Sequence, residues 1–167
     1  EVLEGSKLVN QPDTALLDIR DLRTSFFSRR GVVPAVDSVS LYVRQGEVIG
    51  LVGESGCGKS VTSLSVLRLV SAPGKIVGGQ IFYRGQDILG FPSARMRALR
   101  GNEISMIFQE PMTSLNPVYT IGKQVIEALR SHDPSVGSKE GRLRATEMLD
   151  RVGISEPQER LQSYPHQ

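Results

Sequence analysis

Apolar and polar residues alternate in two stretches near the start of the chain. Between Leu16 and Phe27 apolar side chains recur at about every second position, and between Ala35 and Val43 valine and leucine alternate with serine and tyrosine. A period of two sends successive side chains to opposite faces of a strand. The pattern therefore predicts two β-strands, joined by a turn over residues 28–34, in a sheet with one buried face.

Three shorter segments also have the composition of strands. Residues 47–52 and 103–109 are apolar with little interruption, and Gln80–Tyr83 follows a Pro-Gly break at 73–74. Short apolar runs are typical of buried strands, and the run at 103–109 fits a strand covered on both faces. We expect all three segments to be strands, with the first two buried.

Helical periodicity marks most of the remaining chain. Apolar residues three or four apart predict one helix directly after residue 60 and two in the last third, and a short basic segment predicts another. The last helix has favourable pairs four residues apart, Glu140 with Arg144 and Glu147 with Arg151, and Gly153 is placed to end it. The predicted helices are Val61–Val70, Pro92–Arg100, Thr120–His132 and Ser138–Val152, the last with an apolar stripe of Ala145, Met148, Leu149 and Val152.

The composition limits the functional classes. The chain has 20 basic and 18 acidic residues among 167, and this net charge of +2 gives little support to nucleic-acid binding. Its one cysteine, Cys57, cannot form an internal disulfide, which favours a reducing compartment. The sequence contains neither an apolar run long enough to span a membrane nor a signal-peptide pattern. The length suits one domain or part of one, residues 1–14 resemble a flexible lead-in, and a start at Glu1 rather than Met indicates missing residues upstream.

The sequence Gly-x-x-x-x-Gly-Lys-Ser lies between the predicted strand 47–52 and the helix that follows. A glycine-rich turn at this place lets successive backbone N–H groups point inward and bind an anion at a helix start. Lys59 is placed to reach the β- and γ-phosphates, and Ser60 to offer its hydroxyl to Mg²⁺. The motif predicts a nucleoside triphosphate site, the alternative being a glycine-rich hairpin without a ligand. Its residues are Gly53, Glu54, Ser55, Gly56, Cys57, Gly58, Lys59 and Ser60.

A second segment narrows this interpretation. Gln109 lies 50 positions after Lys59 and opens the run Gln-Glu-Pro-Met-Thr-Ser-Leu-Asn-Pro, and the chain closes with Tyr-Pro-His-Gln at 164–167. With these segments and the phosphate loop, the chain from about Leu16 onward resembles the ATP-binding subunits of ABC transporters. The run at Gln109 is similar to that of the branch that imports dipeptides, oligopeptides, nickel or glutathione.

The resemblance implies an α/β fold. It consists of a P-loop NTPase (RecA-like) core with an N-terminal antiparallel β subdomain and the start of an α-helical subdomain, and it is incomplete in this sequence. The β subdomain and phosphate-loop core would occupy 15–110, and the Q-loop and helical subdomain 111–167. ATP and Mg²⁺ are the implied cofactors. The implied partners are transmembrane permease subunits, a second ATP-binding subunit and, indirectly, a solute-binding protein, at the cytoplasmic face of the cell membrane.

Two further site residues follow from the resemblance. Gln109 corresponds to the Q-loop glutamine, a catalytic residue that contacts Mg²⁺ and the attacking water, with a purely structural role at a strand end as the alternative. Phe26 corresponds to the aromatic residue that stacks on adenine, with Phe27 as the neighbouring candidate and core packing of Phe26 as the alternative. His132 and His166 have no partners at metal-ligand spacing, so neither is expected to bind metal.

The family's signature motif, Walker B carboxylates and switch histidine do not occur in this sequence. We therefore expect these residues alone to bind ATP without turning it over at an enzymatic rate, and to leave apolar surface exposed beside the phosphate loop. Two other functions stay open. One is a soluble ABC-type ATPase of DNA repair or translation, and the other is a nucleotide-binding remnant with a regulatory role.

Overall fold

The computed structural model describes residues 15–108 and 114–167. The chain divides into two compact units between Arg100 and Gly101. In the described residues, the first unit contains a four-stranded sheet and two α-helices, and the second contains three α-helices. No helix in these ranges is both long enough and apolar enough to cross a bilayer.

The sheet of the first unit is antiparallel, with strand order β2-β1-β3-β4. Its strands are β1 (Ala15–Ser28), β2 (Gly31–Arg44), β3 (Gly74–Tyr83) and β4 (Gln86–Asp87). The first two predicted strands are confirmed, but the predicted turn over 28–34 is too long, because Ser28 already pairs with Gly31. The predicted strand Gln80–Tyr83 is also confirmed, as part of β3. It begins earlier than expected, at Gly74, which pairs with Phe26 of β1.

The core of the first unit combines the sheet with the helix that follows the phosphate loop. Ile19 and Ile81 are opposite each other on β1 and β3 and are 2% and 0% exposed. Helix α1 (Lys59–Val66) contacts β1 and β2 and adds the buried Val66. It ends before the predicted Val70, since Arg68 has a left-handed backbone with φ 51° that cannot continue a helix.

A short 3-10 turn (Ile88–Gly90) leads from β4 to α2 (Ser93–Leu99), which confirms the predicted basic helix. Its buried side chains are Met96 and Leu99. Arg100, just after α2, donates from Nε to the Leu67 carbonyl at 2.7 Å and from Nη2 to the Arg68 carbonyl at 3.0 Å. These bonds tie the end of α2 to the end of α1.

The second unit consists of α3 (Ile121–His132), α4 (Ser138–Arg151) and α5 (Pro157–Arg160). The side chain of Thr120 accepts a hydrogen bond from the Lys123 N–H at 3.4 Å, which is a normal start for α3. Helices α3 and α4 approach closely at a glycine: a Cβ on Gly141 would lie 3.0 Å from Ile126 Cγ2. Both long predicted helices are therefore confirmed.

Details of α4 confirm some predictions and correct others. Arg144 pairs with Glu140 at 2.5 Å, and Gly153, with φ 77°, donates its N–H to the Asp150 carbonyl. Within the described residues no ion pair joins the predicted partners Glu147 and Arg151. The predicted apolar stripe is too wide. Ala145 is fully buried, whereas Met148 and Val152 are 48% and 72% exposed, because α4 covers α3 with a narrower face.

The predictions of buried strands at 47–52 and 103–109 are wrong for the residues that the structure describes. Neither segment forms a strand, Val48 and Val52 are 96% and 93% exposed, and Ile107 is 94% exposed. An apolar run becomes a buried strand only when neighbouring strands pair with it. The described strands make one antiparallel sheet that includes neither segment.

Candidate phosphate-binding loop

The motif residues 53–60 form a compact turn that leads directly into α1. Gly56 and Gly58 have φ of 83° and 92°, a left-handed conformation that glycine adopts without strain. Gly58 is the N-cap of α1 and offers no side chain to the first turn. The N–H groups at the start of α1 therefore have no side-chain acceptor, which is the arrangement that binds phosphate at a helix start.

Gly58 is also the place where the loop touches the sheet. A Cβ at this position would lie 2.1 Å from the carbonyl oxygen of Ala35 on β2. Backbone and side chain cannot share that space, so the close approach requires glycine. The contact with β2 thus sets how closely the loop approaches the sheet. The motif predicts a glycine here, but nothing in the sequence singles out Ala35 as its neighbour.

The Lys59 ammonium lies across the loop. Its Nζ donates to the carbonyl oxygens of Gly53 and Glu54, both at 2.7 Å, and lies 3.5 Å from Cys57 Sγ. A lysine has three donors, and two of them are held by strong carbonyl acceptors. The third faces only a weak sulfur acceptor and is available to a phosphate oxygen. The loop therefore orients the cation before any ligand is present.

Ser60 and the first turn of α1 complete the site. Ser60 is exposed, and its hydroxyl forms no hydrogen bond with the described part of the chain. Thr62, one turn further, donates from Oγ1 to the Gly58 carbonyl at 3.0 Å. The Thr62 hydroxyl is thus occupied in holding the loop. The Ser60 hydroxyl is left for a metal ion or a water.

A buried pair of hydroxyls joins α1 to the sheet. Thr24 Oγ1 lies 2.8 Å from Ser65 Oγ, and both residues are 0% exposed. Ser65 uses its single proton to donate to the Val61 carbonyl at 2.7 Å, so Thr24 is the donor of the other bond. Sequence analysis missed this role. The one indication in the sequence is Thr24, a polar residue at an inward position of β1 where the alternation predicts an apolar one.

The two aromatic candidates for the base differ in environment. Phe26 is half-buried, and a Cβ on Gly74 would lie 2.7 Å from its Cε1, so the ring packs against that backbone. Phe27 is 42% exposed, and Lys75 Nζ lies 5.8 Å from its ring centroid. This difference in exposure agrees with the prediction that the two side chains lie on opposite faces of β1. Gln109 lies outside the described residues, so its predicted role stays a prediction.

The chemistry of the loop fits a triphosphate with its magnesium ion. The glycine cradle and a preoriented ammonium suit phosphate oxygens, and Mg²⁺ is held by few protein ligands while it keeps several waters. Across the described ranges, no three His, Cys, Asp or Glu side chains could hold a metal ion. Among the described loop residues, Ser60 has a hydroxyl that could bind such a metal ion together with the phosphates and water.

Comparison with known proteins agrees with this chemistry. The oligopeptide transport ATP-binding protein AppD of Bacillus subtilis is 48% identical over 92% of this chain. The dipeptide transport ATP-binding protein DppD of Escherichia coli is 45% identical over 92%. The chain spans 47% and 46% of these two relatives, about half of their length.

A solved structure gives an independent view of the fold. It is the dimeric, post-hydrolysis state of an ATP-binding cassette bound to ADP and Pi, with a TM-score of 0.75 and 20% identity. The match covers 90% of this chain and 62% of that one. At this identity the likeness concerns the fold alone, and it confirms the predicted α/β class. Residues 36–167 match the family described as ABC transporter, and the chain belongs to that family.

Proposed function

We propose that this chain is the nucleotide-binding part of an ATPase subunit that powers the import of peptides or related small solutes. The observation that carries the proposal is the Lys59 ammonium, which two loop carbonyls hold at 2.7 Å over a glycine cradle. The relatives named for oligopeptide and dipeptide transport support the solute class. Hydrolysis and transport would belong to the whole protein, of which the described residues supply the phosphate loop.

Each loop residue has a defined part in this proposal. The backbone N–H groups at the start of α1 would bind the β- and γ-phosphates, and Lys59 would neutralise part of their charge. Ser60 would be one of the ligands of a Mg²⁺ ion, which would neutralise the phosphates further. Gln109 would complete the metal site and orient the attacking water. A neutral amide can do both without adding charge.

Stacking on an aromatic ring would hold the adenine. Phe26 is the residue implied by the family resemblance, whereas Phe27 has the more exposed ring. A ring that stacks on a base needs one free face. Separate replacement of Phe26 and Phe27 by Leu shows which ring stacks on the adenine. Loss of affinity for ATP without loss of affinity for inorganic tripolyphosphate identifies the stacking ring. If both variants bound ATP as tightly as the parent chain, aromatic stacking by Phe26 or Phe27 would be excluded.

The partners would be transmembrane permease subunits and a second ATP-binding subunit, at the cytoplasmic face of the membrane. The relatives are transport ATP-binding proteins, and the solved cassette with the same fold is a dimer. The whole protein, tagged and purified from the membranes of its own cells, should retain permease subunits and hydrolyse ATP. Lys59→Ala should abolish the hydrolysis, because the ammonium that would neutralise the phosphates is lost. The permease subunits should still co-purify with this variant.

A matched control is Arg151→Ala, which removes one positive charge from an exposed position on α4 and should leave the hydrolysis unchanged. Purification without any membrane subunit, but with active ATPase, would favour a soluble ATPase. Retention of neither partners nor activity would favour a regulatory nucleotide-binding protein.

A further inference from the structure

The second unit contains a cavity between α3 and α4, far along the chain from the phosphate loop. Its volume is about 660 Å³, within the range of sites for small molecules. Every residue that lines it belongs to Gly101–Gln167, so the cavity is a feature of this unit by itself. Four of its lining residues are basic and one is acidic: Lys123, Arg130, Lys139 and Arg142, with Glu127.

The composition of the second unit does not predict a basic cavity. Residues 101–167 include 7 Lys and Arg but 9 Asp and Glu, so the segment is slightly acidic. More than half of its cations nevertheless line one cavity, together with only one of its carboxylates. Like charges that gather on one surface raise the free energy of the unliganded protein. A bound anion removes that repulsion.

Neighbouring carboxylates do not neutralise these cations. In the described residues none of the four forms an ion pair, although Arg144 on the same helix pairs with Glu140 at 2.5 Å and with Asp133 at 3.8 Å. In the described residues, Arg144 therefore has carboxylate partners, whereas the four cavity cations have no carboxylate within ion-pair distance. Their charge is available to a ligand.

One of the four is held in place by the protein. Arg130 donates from Nε to the Val136 carbonyl at 3.0 Å and from Nη2 to Ser138 Oγ at 3.1 Å. A guanidinium has five donors, so these two bonds fix its plane and leave the remaining N–H groups for an oxyanion. Lys123 is also positioned, with its Nζ 3.7 Å from the centroid of the Tyr119 ring.

The cavity also offers apolar surface. Ile126 lines it, and the methylene chains of the long basic residues add to that surface. We propose that this cavity binds a small organic anion that carries two or more phosphate or carboxylate groups. Such a ligand would be distinct from the nucleotide, and its site would let the second unit respond to a metabolite.

The test is a titration of the ¹⁵N-labelled full chain at low ionic strength with pyrophosphate and, separately, with citrate. We expect at least one of them to shift the backbone amides of α3 and α4 around Arg130 and Ser138, with saturation. The same shifts should persist in Lys59→Ala, which separates this site from the phosphate loop. The probe that binds more tightly identifies the anionic group.

Two variants locate the site. Lys139→Gln combined with Arg142→Gln should weaken the affinity at α3 and α4 about tenfold, since each cation contributes about two- to fivefold. Arg151→Gln removes a charge from the same helix outside the cavity, and its affinity should stay within about twofold of the parent. The affinity should also fall as salt is added.

Three results would overturn the proposal. The first is the absence of saturable shifts in α3 and α4 with either probe. The second is equal affinity in the double variant and the parent chain. The third is a response of these amides only to vesicles that contain anionic phospholipid, which would make the cavity part of a membrane-facing surface instead.

Discussion

The phosphate loop and the apolar segment 47–52 are adjacent in sequence, but they differ in their contacts with the rest of the described residues. Lys59 has three contacts within the loop, and Gly58 touches β2. Val48 and Val52 are almost fully exposed and belong to no strand. The loop depends on neighbours close by in the chain and on one antiparallel sheet. The apolar segment has no strand partner among the described residues.

The largest expected effect comes from breaking the contact between loop and sheet. Gly58→Ala places a Cβ 2.1 Å from the Ala35 carbonyl and forces an alanine to φ 92°. The left-handed conformation alone costs about 1–2 kcal/mol, and the clash adds to it. We expect nucleotide binding, measured by titration calorimetry, to fall below detection.

The control for this variant is Gly46→Ala. Gly46 also has a positive φ, 74°, but a Cβ at this position would have no other atom within 4 Å, so only the conformational cost applies. Binding by this variant should stay close to that of the parent. Equal losses in the two variants would mean that strain, and not the contact with β2, explains the need for glycine.

The buried hydroxyl pair tests how the sheet holds α1. Ser65→Ala leaves the Thr24 proton without an acceptor at a fully buried site, which should lower the free energy of unfolding by about 2 kcal/mol. Thr24→Val removes the donor and leaves the bond from Ser65 to Val61, and should cost about 1 kcal/mol or less. Urea denaturation of both variants and of the double variant checks this order. The reverse order would contradict the assignment of Thr24 as donor.

The apolar segment provides the opposite test. Val48→Ser and Val52→Ser should change the free energy of unfolding of this chain by less than about 0.5 kcal/mol, because these side chains are exposed. They should also reduce aggregation. Leu22→Ala, at a fully buried position of β1, is the comparison and should cost about 3 kcal/mol. A loss of similar size at Val48 would show that 47–52 is buried after all.

The smallest effect is expected at a locally determined turn of the second unit. Hydrogen bonds from the Ser135 hydroxyl and backbone N–H lower the pKa of Asp133 below its usual value, and Arg144 adds to this effect. Because the folded pKa is lowered, the contribution of Asp133 to stability is present above its unfolded pKa and is lost as pH falls through the folded value. Ser135→Ala should raise the pKa of Asp133, measured by NMR titration. Ser131→Ala, whose hydroxyl bonds to the Ala128 carbonyl, should not change it.

The same contrast explains which parts of the structure were predictable from sequence. The loop and the helices α3 and α4 were predictable because glycine spacing, the Thr120 cap and the Glu140–Arg144 pair act within a few residues. The hairpin of β1 and β2 was predictable, since its two strands follow each other along the chain. Strand β3 pairs with the distant β1, and its short apolar run after a Pro-Gly break indicated it. The irregular backbone of 47–52 and 103–108 was not predictable, because an apolar run does not show whether partner strands are present.

Within the site, residue types were predictable and contacts were not. Lys59 and the glycines followed from the motif, whereas the approach of Ala35 to Gly58 joins residues from two separate segments. The pairing of Thr24 with Ser65 likewise spans 41 positions. A single sequence shows no pattern that indicates either contact. Each contact depends on how the fold places α1 and its preceding loop against the sheet.

Titration calorimetry of the chain with ATP and Mg²⁺ tests the central claim most directly. We predict saturable binding near one nucleotide per chain, weakened at least about tenfold by Lys59→Ala, because a charged hydrogen-bond donor to phosphate is lost. Arg151→Ala should bind like the parent. Absence of saturable binding in the folded chain, or equal affinity after Lys59→Ala, would contradict the assignment of the loop as the nucleotide site.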